Sequence, residues 1–136
     1  MKILILGAGQ VGSTAAYHLA GEEANEVTIL DRNPAVLREL QDRLDIRTVV
    51  GNASSPEALE RAGARDADML IALTNSDEVN MVACHVAATL FGTKTKVARI
   101  RSGDYANTPA LFAPDQIPID QRINPEHLVT RYIEQL

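Results

Sequence analysis

Short apolar runs alternate along the chain with longer stretches in which apolar positions recur at helical spacing. The runs at 2–6, 26–31, 47–51, 68–74, 95–101 and 117–123 predict strands. The segments 10–21, 34–43, 56–62, 77–91, 105–112 and 126–135 predict helices. The early strands, such as Ile3-Leu-Ile-Leu6, are continuously apolar and do not alternate with polar residues. That suits a parallel sheet covered on both faces, where neither side of a strand meets water. Six strands with helices between them predict an α/β fold: a doubly wound parallel six-stranded sheet in the order 3-2-1-4-5-6.

The boundaries carry signals of their own. Asn33-Pro34, Ser55-Pro56 and Asn124-Pro125 each set a capping side chain before a proline suited to the first helical position. Asn75 and Glu78 have the spacing of a capping box. Gly63 and Gly92 follow helical segments as stops. No repeat, low-complexity tract or linker interrupts the pattern, so 1–136 reads as one domain.

Composition removes several function classes. A length of 136 residues is enough for one real core. No apolar run approaches the roughly 20 residues that span a bilayer, so no direct membrane insertion is expected. The chain opens straight into a strand, without a signal-peptide pattern. A single cysteine, Cys84, excludes an internal disulfide and fits a reducing, cytoplasmic setting. The net charge of −5 and the lack of a basic stripe argue against a nucleic-acid partner. Two Phe, three Tyr and no Trp leave little on which bases could stack.

The candidate chemistry begins directly behind the first strand, at Gly7-Ala-Gly9-Gln-Val-Gly12. A second apolar run, Val27-Thr-Ile-Leu30, ends on Asp31, 19 residues after Gly12. Strand, glycine turn, helix, strand and acid are spaced as a Rossmann-like dinucleotide-binding unit requires; a glycine turn that only packs helix on strand would leave Asp31 unexplained. Gly7 can adopt backbone angles closed to other residues and so turn the chain sharply out of the strand. Gly9 has no side chain, so a pyrophosphate can come against bare main chain. Gly12 lets the next helix lie close to the sheet. The free N–H groups and the positive end of that helix then face the phosphates. Asp31 is placed to accept hydrogen bonds from ribose hydroxyls. Arg32 could hold a 2′-phosphate, stack on an adenine or be solvated. With Asp31 beside it, an unphosphorylated ribose is expected, hence NAD(H) or ATP/ADP over NADP.

The other half of such a site lies where the winding reverses. The fourth strand, Met69-Leu-Ile-Ala-Leu-Thr74, runs into Asn75-Ser76-Asp77-Glu78. Thr74 and Asn75 should face Gly9 across a crevice, where a hydroxyl and an amide can orient a ribose or a phosphate. Capping the next helix is the other use for Asn75 and Ser76. Arg99 lies inside the fifth strand, Lys96-Val-Ala-Arg-Ile-Arg101, where a buried charge needs a partner. A pyrophosphate would serve through bidentate hydrogen bonds, as would an internal pair with Asp77. Arg101, nearer the strand end, is expected in solvent. Asn52, in the loop after the third strand, either touches the adenine edge or belongs to a plain loop.

A dehydrogenase also needs a substrate pocket and an acid or base against the nicotinamide. His18, His85 and His127 stand alone on predicted helices without metal-type spacing. No HExxH, CxxC, GxSxG or Walker lysine is present. The expectation is a nucleotide site without catalytic residues and without a metal.

Several stretches together carry a family resemblance: Met1-Lys-Ile-Leu-Ile-Leu-Gly-Ala-Gly-Gln-Val-Gly12, Arg38-Glu-Leu-Gln-Asp42, Ala67-Asp-Met-Leu70, Thr74-Asn-Ser-Asp-Glu78, Asn80-Met-Val-Ala-Cys84, Ala98-Arg-Ile-Arg-Ser102 and Ile117-Pro-Ile-Asp120. They resemble the N-terminal nucleotide-binding (RCK-N or KTN) domain of the TrkA family, cytosolic regulators of bacterial potassium uptake. The resemblance implies binding of NAD(H), with ATP/ADP as a further ligand class. It implies nucleotide contacts at Gly7, Ala8, Gly9, Gln10, Val11, Asp31, Thr74, Asn75 and Arg99. It implies a homodimer or higher homo-oligomer, peripheral at the inner face of the cell membrane through a Trk-type potassium-translocating subunit. Ser13-Thr14 and Asn52-Ala53-Ser54 depart from the family pattern, and the second departure leaves nucleotide preference open. The stripe Leu128, Val129, Tyr132, Ile133 and Leu136 on the last predicted helix suits either a partner subunit or packing on its own sheet.

Two other readings use the same residues. One is the cofactor domain of an NAD-dependent dehydrogenase apart from its catalytic half. The other is the RCK domain of a potassium channel, against which a chain opening on Met1 and a strand argues.

Overall fold

The computed structural model describes residues 1–124. The helix expected at 126–135, its apolar stripe and His127 lie outside them. The described elements are β1 (Lys2–Leu6), α1 (Gln10–Ala20), β2 (Glu26–Asp31), α2 (Pro34–Arg43), β3 (Arg47–Val50), α3 (Pro56–Arg61), β4 (Met69–Ala72), α4 (Asp77–Val86), β5 (Thr95–Arg99), α5 (Gly103–Ala106) and β6 (Gln121–Ile123). The strands form one parallel sheet in the order β3-β2-β1-β4-β5-β6, as the alternation of runs predicts.

Alternate side chains of each strand enter two cores. Ile3, Ile5, Val27, Ile29, Met69, Ile71 and Val97 meet Val11, Ala15, Ala16 and Leu19 of α1 and Leu37 and Leu40 of α2. Leu4, Leu6, Leu30, Val49, Leu70, Ala72 and Ala98 meet α3 and α4 through Leu59, Met81, Ala83 and Cys84. Each large apolar side chain moved fully out of water contributes about 1.5–3 kcal/mol. Burial on both faces is therefore what the continuous apolar runs encode.

Asn33 accepts the amides of Ala35 and Val36, and Ser55 accepts that of Ala58, as the Asn-Pro and Ser-Pro pairs predict. The fourth helix is capped differently from expectation. Ser76, not Asn75, is its N-cap, with Oγ accepting the Val79 amide at 3.2 Å. The cap moves by one residue because the Thr74 hydroxyl accepts the Ser76 amide and extends the preceding turn.

Four further boundaries shift. The helix expected over 77–91 is α-helical to Val86 and then widens into a π-helical turn, Ala87–Phe91, which brings Phe91 into the second core before Gly92. The helix expected over 105–112 divides into α5 and a 3₁₀ turn, Pro109–Phe112. Pro109 disfavours helical angles at Thr108 and supplies no N–H. The fifth strand ends at Arg99 because the amides of Arg101 and Ser102 are taken by the Asp77 carboxylate at 2.7–3.1 Å. The last strand is confined to 121–123; Pro118 lacks a donor and Ile117 hydrogen-bonds back to Leu111 instead of joining the ladder.

Candidate functional site

The carboxyl ends of β1, β2, β4 and β5 open on a cleft of about 950 Å³. It lies at the point where the strand order reverses, between β1 and β4. Gly7, Ala8, Gly9, Gln10 and Val11 form one wall, Asp31 and Arg32 one end, Asn52 the loop beyond β3, and Thr74, Asn75 and Arg99 the opposite wall. Eleven of the twelve residues expected at a nucleotide site thus line one cavity. Gly12 is not on its wall.

The three glycines of the turn do different work. Gly7 has φ of +100°, in the region that favours glycine. A Cβ there would stand 3.0 Å from the backbone of Leu73 and Thr74, so the turn rests on the exit of β4. At Gly12 a Cβ would fall 1.8 Å from the Gly7 carbonyl, so α1 can approach the turn only without a side chain. Gly9 is different: its φ of −71° is open to any residue, and an added Cβ would meet nothing within 4 Å. The protein's own packing does not require glycine at position 9. A ligand lying against the main chain would.

Gly9 is the N-cap of α1 and provides no side-chain hydrogen bond, and the first turn holds no acidic residue. The other described α-helices are each closed by a side chain: Asn33, Ser55, Ser76 or Ser102. The first amides of α1 therefore face the cleft with the helix dipole behind them, an arrangement suited to an anion.

Asp31, half-buried at the end of β2, has a role that the sequence did not reveal. Its Oδ1 accepts the Ala8 amide at 2.8 Å and its Oδ2 accepts the Asn33 amide at 2.8 Å. One carboxylate thus fastens the glycine turn to the turn after β2, and each oxygen retains lone-pair capacity for a hydroxyl. Arg32 is exposed at the same end. Asn52 Oδ1 accepts the amide and hydroxyl of Ser54 at 3.0 and 3.1 Å, which shapes its loop. Beneath that loop Arg61 Nη2 donates to the Val50 carbonyl at 3.2 Å and is anchored by Glu57.

On the opposite wall Arg99 is buried, 7% exposed, and lines the cleft. Asp77 is directed elsewhere, onto the amides of Arg101 and Ser102. Arg101 is exposed as expected, yet its Nη2 also donates to the Asn75 carbonyl at 2.9 Å and ties the two exit loops together. Asn80 is the residue that sequence reasoning missed. It is fully buried, and its amide joins Thr74 to Arg99. An asparagine between Val79 and Met81 inside a helix, a poor place for a short amide, was the available signal.

His18 and His85 are exposed and neither lines the cleft. Cys84 is fully buried, one residue from exposed His85, so the two point apart. Burial pushes its thiol up to about 12, against a smaller lowering by Lys96. Among the described residues no group of three or more His, Cys, Asp or Glu side chains could hold a metal, and no helix is long and apolar enough to cross a membrane.

Comparisons with known proteins agree with this construction. The chain is 60% identical over 137 residues to the Trk system potassium uptake protein TrkA of Vibrio alginolyticus. It is 58% identical over 136 residues to the protein of the same name from Halomonas elongata. Each match covers the whole of this chain and 30% of the relative, so the chain spans under a third of the relatives' length. Among solved structures, the TrkA-N domain of inner membrane protein ybaL from Escherichia coli superposes with a TM-score of 0.79 at 20% identity, over 98% of this chain and 94% of that one. The GsuK channel bound to NAD superposes with a TM-score of 0.74 at 20% identity, over 96% of this chain and 22% of that one. At these identities the two structures speak for the fold. The model of the TrkA-N domain family matches residues 3–124, which takes in both walls of the cleft, and the chain belongs to that family.

Proposed function

We propose that this chain is a non-catalytic nucleotide sensor that binds NAD(H), with ATP and ADP as further ligands, and regulates a potassium uptake transporter. The observation that carries the reading is Gly9: a glycine the fold does not need, at the mouth of an uncapped helix in the cleft at the carboxyl ends of the strands. A diphosphate would rest on the main chain of Ala8–Val11 and draw on the guanidinium of Arg99. Asp31 would take the adenosine ribose, with Arg32 and Asn52 beside the base. The carboxylate of Asp31 disfavours a 2′-phosphate by like-charge repulsion, so NADP is the poorer ligand. The charged groups of the cleft are suited to holding phosphates and ribose, and the described histidines stand outside it.

The transporter follows from the relatives, named as Trk system potassium uptake proteins. Its partner would be a Trk-type potassium-translocating membrane subunit, met at the inner face of the membrane by a cytoplasmic homo-oligomer. A nucleotide can shift such an assembly only by binding one arrangement more tightly than another.

Calorimetric titration with NAD, NADH, ADP and ATP, with solution mass measured in parallel, tests the reading. Saturable binding of these ligands, with no turnover of any reductant pair, is the expected result. Failure of all four to bind would overturn it, and steady turnover would favour a dehydrogenase domain.

A further inference from the structure

The amide of Asn80 uses all of its hydrogen-bonding capacity within the protein. Its Oδ1 accepts the Thr74 amide at 3.1 Å and faces the Thr74 hydroxyl at 2.6 Å. Its Nδ2 donates to the carbonyls of Thr74 at 3.2 Å and Arg99 at 2.8 Å. The residue has no exposed surface. It therefore clamps the ends of β4 and β5, the two strands that form the far wall of the cleft.

This clamp decides what Thr74 can offer a ligand. A hydroxyl has one proton and two lone pairs. The Thr74 proton has two protein acceptors in reach, Asn80 Oδ1 at 2.6 Å and the Ser76 carbonyl at 3.1 Å. One lone pair is filled by the Ser76 amide at 3.2 Å. One lone pair remains on a residue that lines the cleft. Thr74 can accept a hydrogen bond there and cannot donate one. A phosphate oxygen, which only accepts, gains nothing from it; a sugar hydroxyl, which donates, does.

We propose that Asn80 is a positioning residue that holds Thr74 as an acceptor, so that the far wall of the cleft selects the second ribose of a dinucleotide. The proposal rests on the nucleotide-binding reading above and extends it: the Asp31 end would serve any adenine nucleotide, and the Asn80–Thr74 pair would separate dinucleotides from mononucleotides.

The test compares NAD with ADP, which lacks the second ribose, by calorimetry on the full chain. The wild type should bind NAD more tightly than ADP. Asn80→Asp keeps the volume but turns a carboxylate oxygen toward two carbonyls, and should weaken NAD binding at least tenfold while changing ADP binding less than threefold. Thr74→Val, which keeps shape and removes the lone pair, should do the same, and it decides the matter if the Asn80 variant does not fold. Equal losses for the two ligands would mean a merely structural role and overturn the proposal. So would an unchanged NAD affinity, or a wild type that binds NAD and ADP equally. A wild type that binds neither ligand would instead overturn the nucleotide-binding reading itself.

Discussion

Asp31 Oδ1 accepts the backbone amide of Ala8 at 2.8 Å, so the acid at the end of β2 holds the glycine turn in place before any ligand arrives. Removing it should have two effects. Asp31→Ala should lower the thermal midpoint, because the amides of Ala8 and Asn33 lose their acceptor. It should also weaken adenine-nucleotide binding by about 1.5–3 kcal/mol for each charge-assisted bond lost, a factor of roughly ten to a hundred. Calorimetry and thermal melting read the two separately. A lower midpoint with unchanged affinity would leave Asp31 as a turn fastener alone.

Gly9 and Gly12 should respond in opposite ways. Gly9→Ala meets no atom within 4 Å and keeps an allowed φ, so stability should hold or rise by up to about 1 kcal/mol. Nucleotide affinity should nevertheless fall at least tenfold, since the methyl group stands where the diphosphate would lie. Gly12→Ala forces a methyl to 1.8 Å from the Gly7 carbonyl and should cost about 3 kcal/mol or more of stability. Denaturant unfolding alongside titration distinguishes the two variants. A Gly9→Ala protein that binds normally would remove the main support for a ligand at the turn.

The two arginines of the far wall are unequal by burial. Arg99 is 7% exposed and Arg101 is exposed with its guanidinium tied to the Asn75 carbonyl. Arg99→Ala should therefore reduce NAD affinity more than Arg101→Ala, because a charge–phosphate contact is stronger where water is excluded. Equal losses in parallel titrations would place the diphosphate nearer the surface loops.

Cys84 supplies a pH signature. Its folded thiol is pushed from an ordinary value of about 9 to about 12, chiefly by burial. Below pH 9 both folded and unfolded chains keep the proton and the group adds no pH dependence. Between about 9 and 12 the unfolded chain ionises first, so stability should fall as pH rises, by at most about 1.4 kcal/mol per pH unit. Cys84→Ala should lack that slope in denaturant titrations at pH 8, 9 and 10. The native thiol should also resist alkylation at pH 8 under conditions that label the denatured chain fully.

Much of this molecule could be read from residue order alone. Continuous apolar runs gave the parallel sheet, Asn33-Pro34 and Ser55-Pro56 gave helix starts, and the glycine spacing with Asp31 gave the cleft. These features depend on neighbours within a few positions, or on one recurring unit. Thr108-Pro109 could have announced the break after α5 by the same local logic. Contacts between distant segments were not legible. Asn80 to the Arg99 carbonyl and Asp77 to the Arg101 amide each close a gap of about twenty residues, and the second decides where β5 ends. Periodicity describes which face a residue occupies; it does not say which carbonyl waits on the other side.

Gly7 leaves no cushion between the turn and the main chain of Leu73 and Thr74. Even a Cβ at position 7 would stand only 3.0 Å from that backbone, so no side chain lies between the two to take up a movement by changing rotamer. A turn displaced in that direction would press on the segment that leads into α4. A device that must report occupancy at a distance gains from such a hard joint, since compliance at the first step would dissipate the message before it left the pocket.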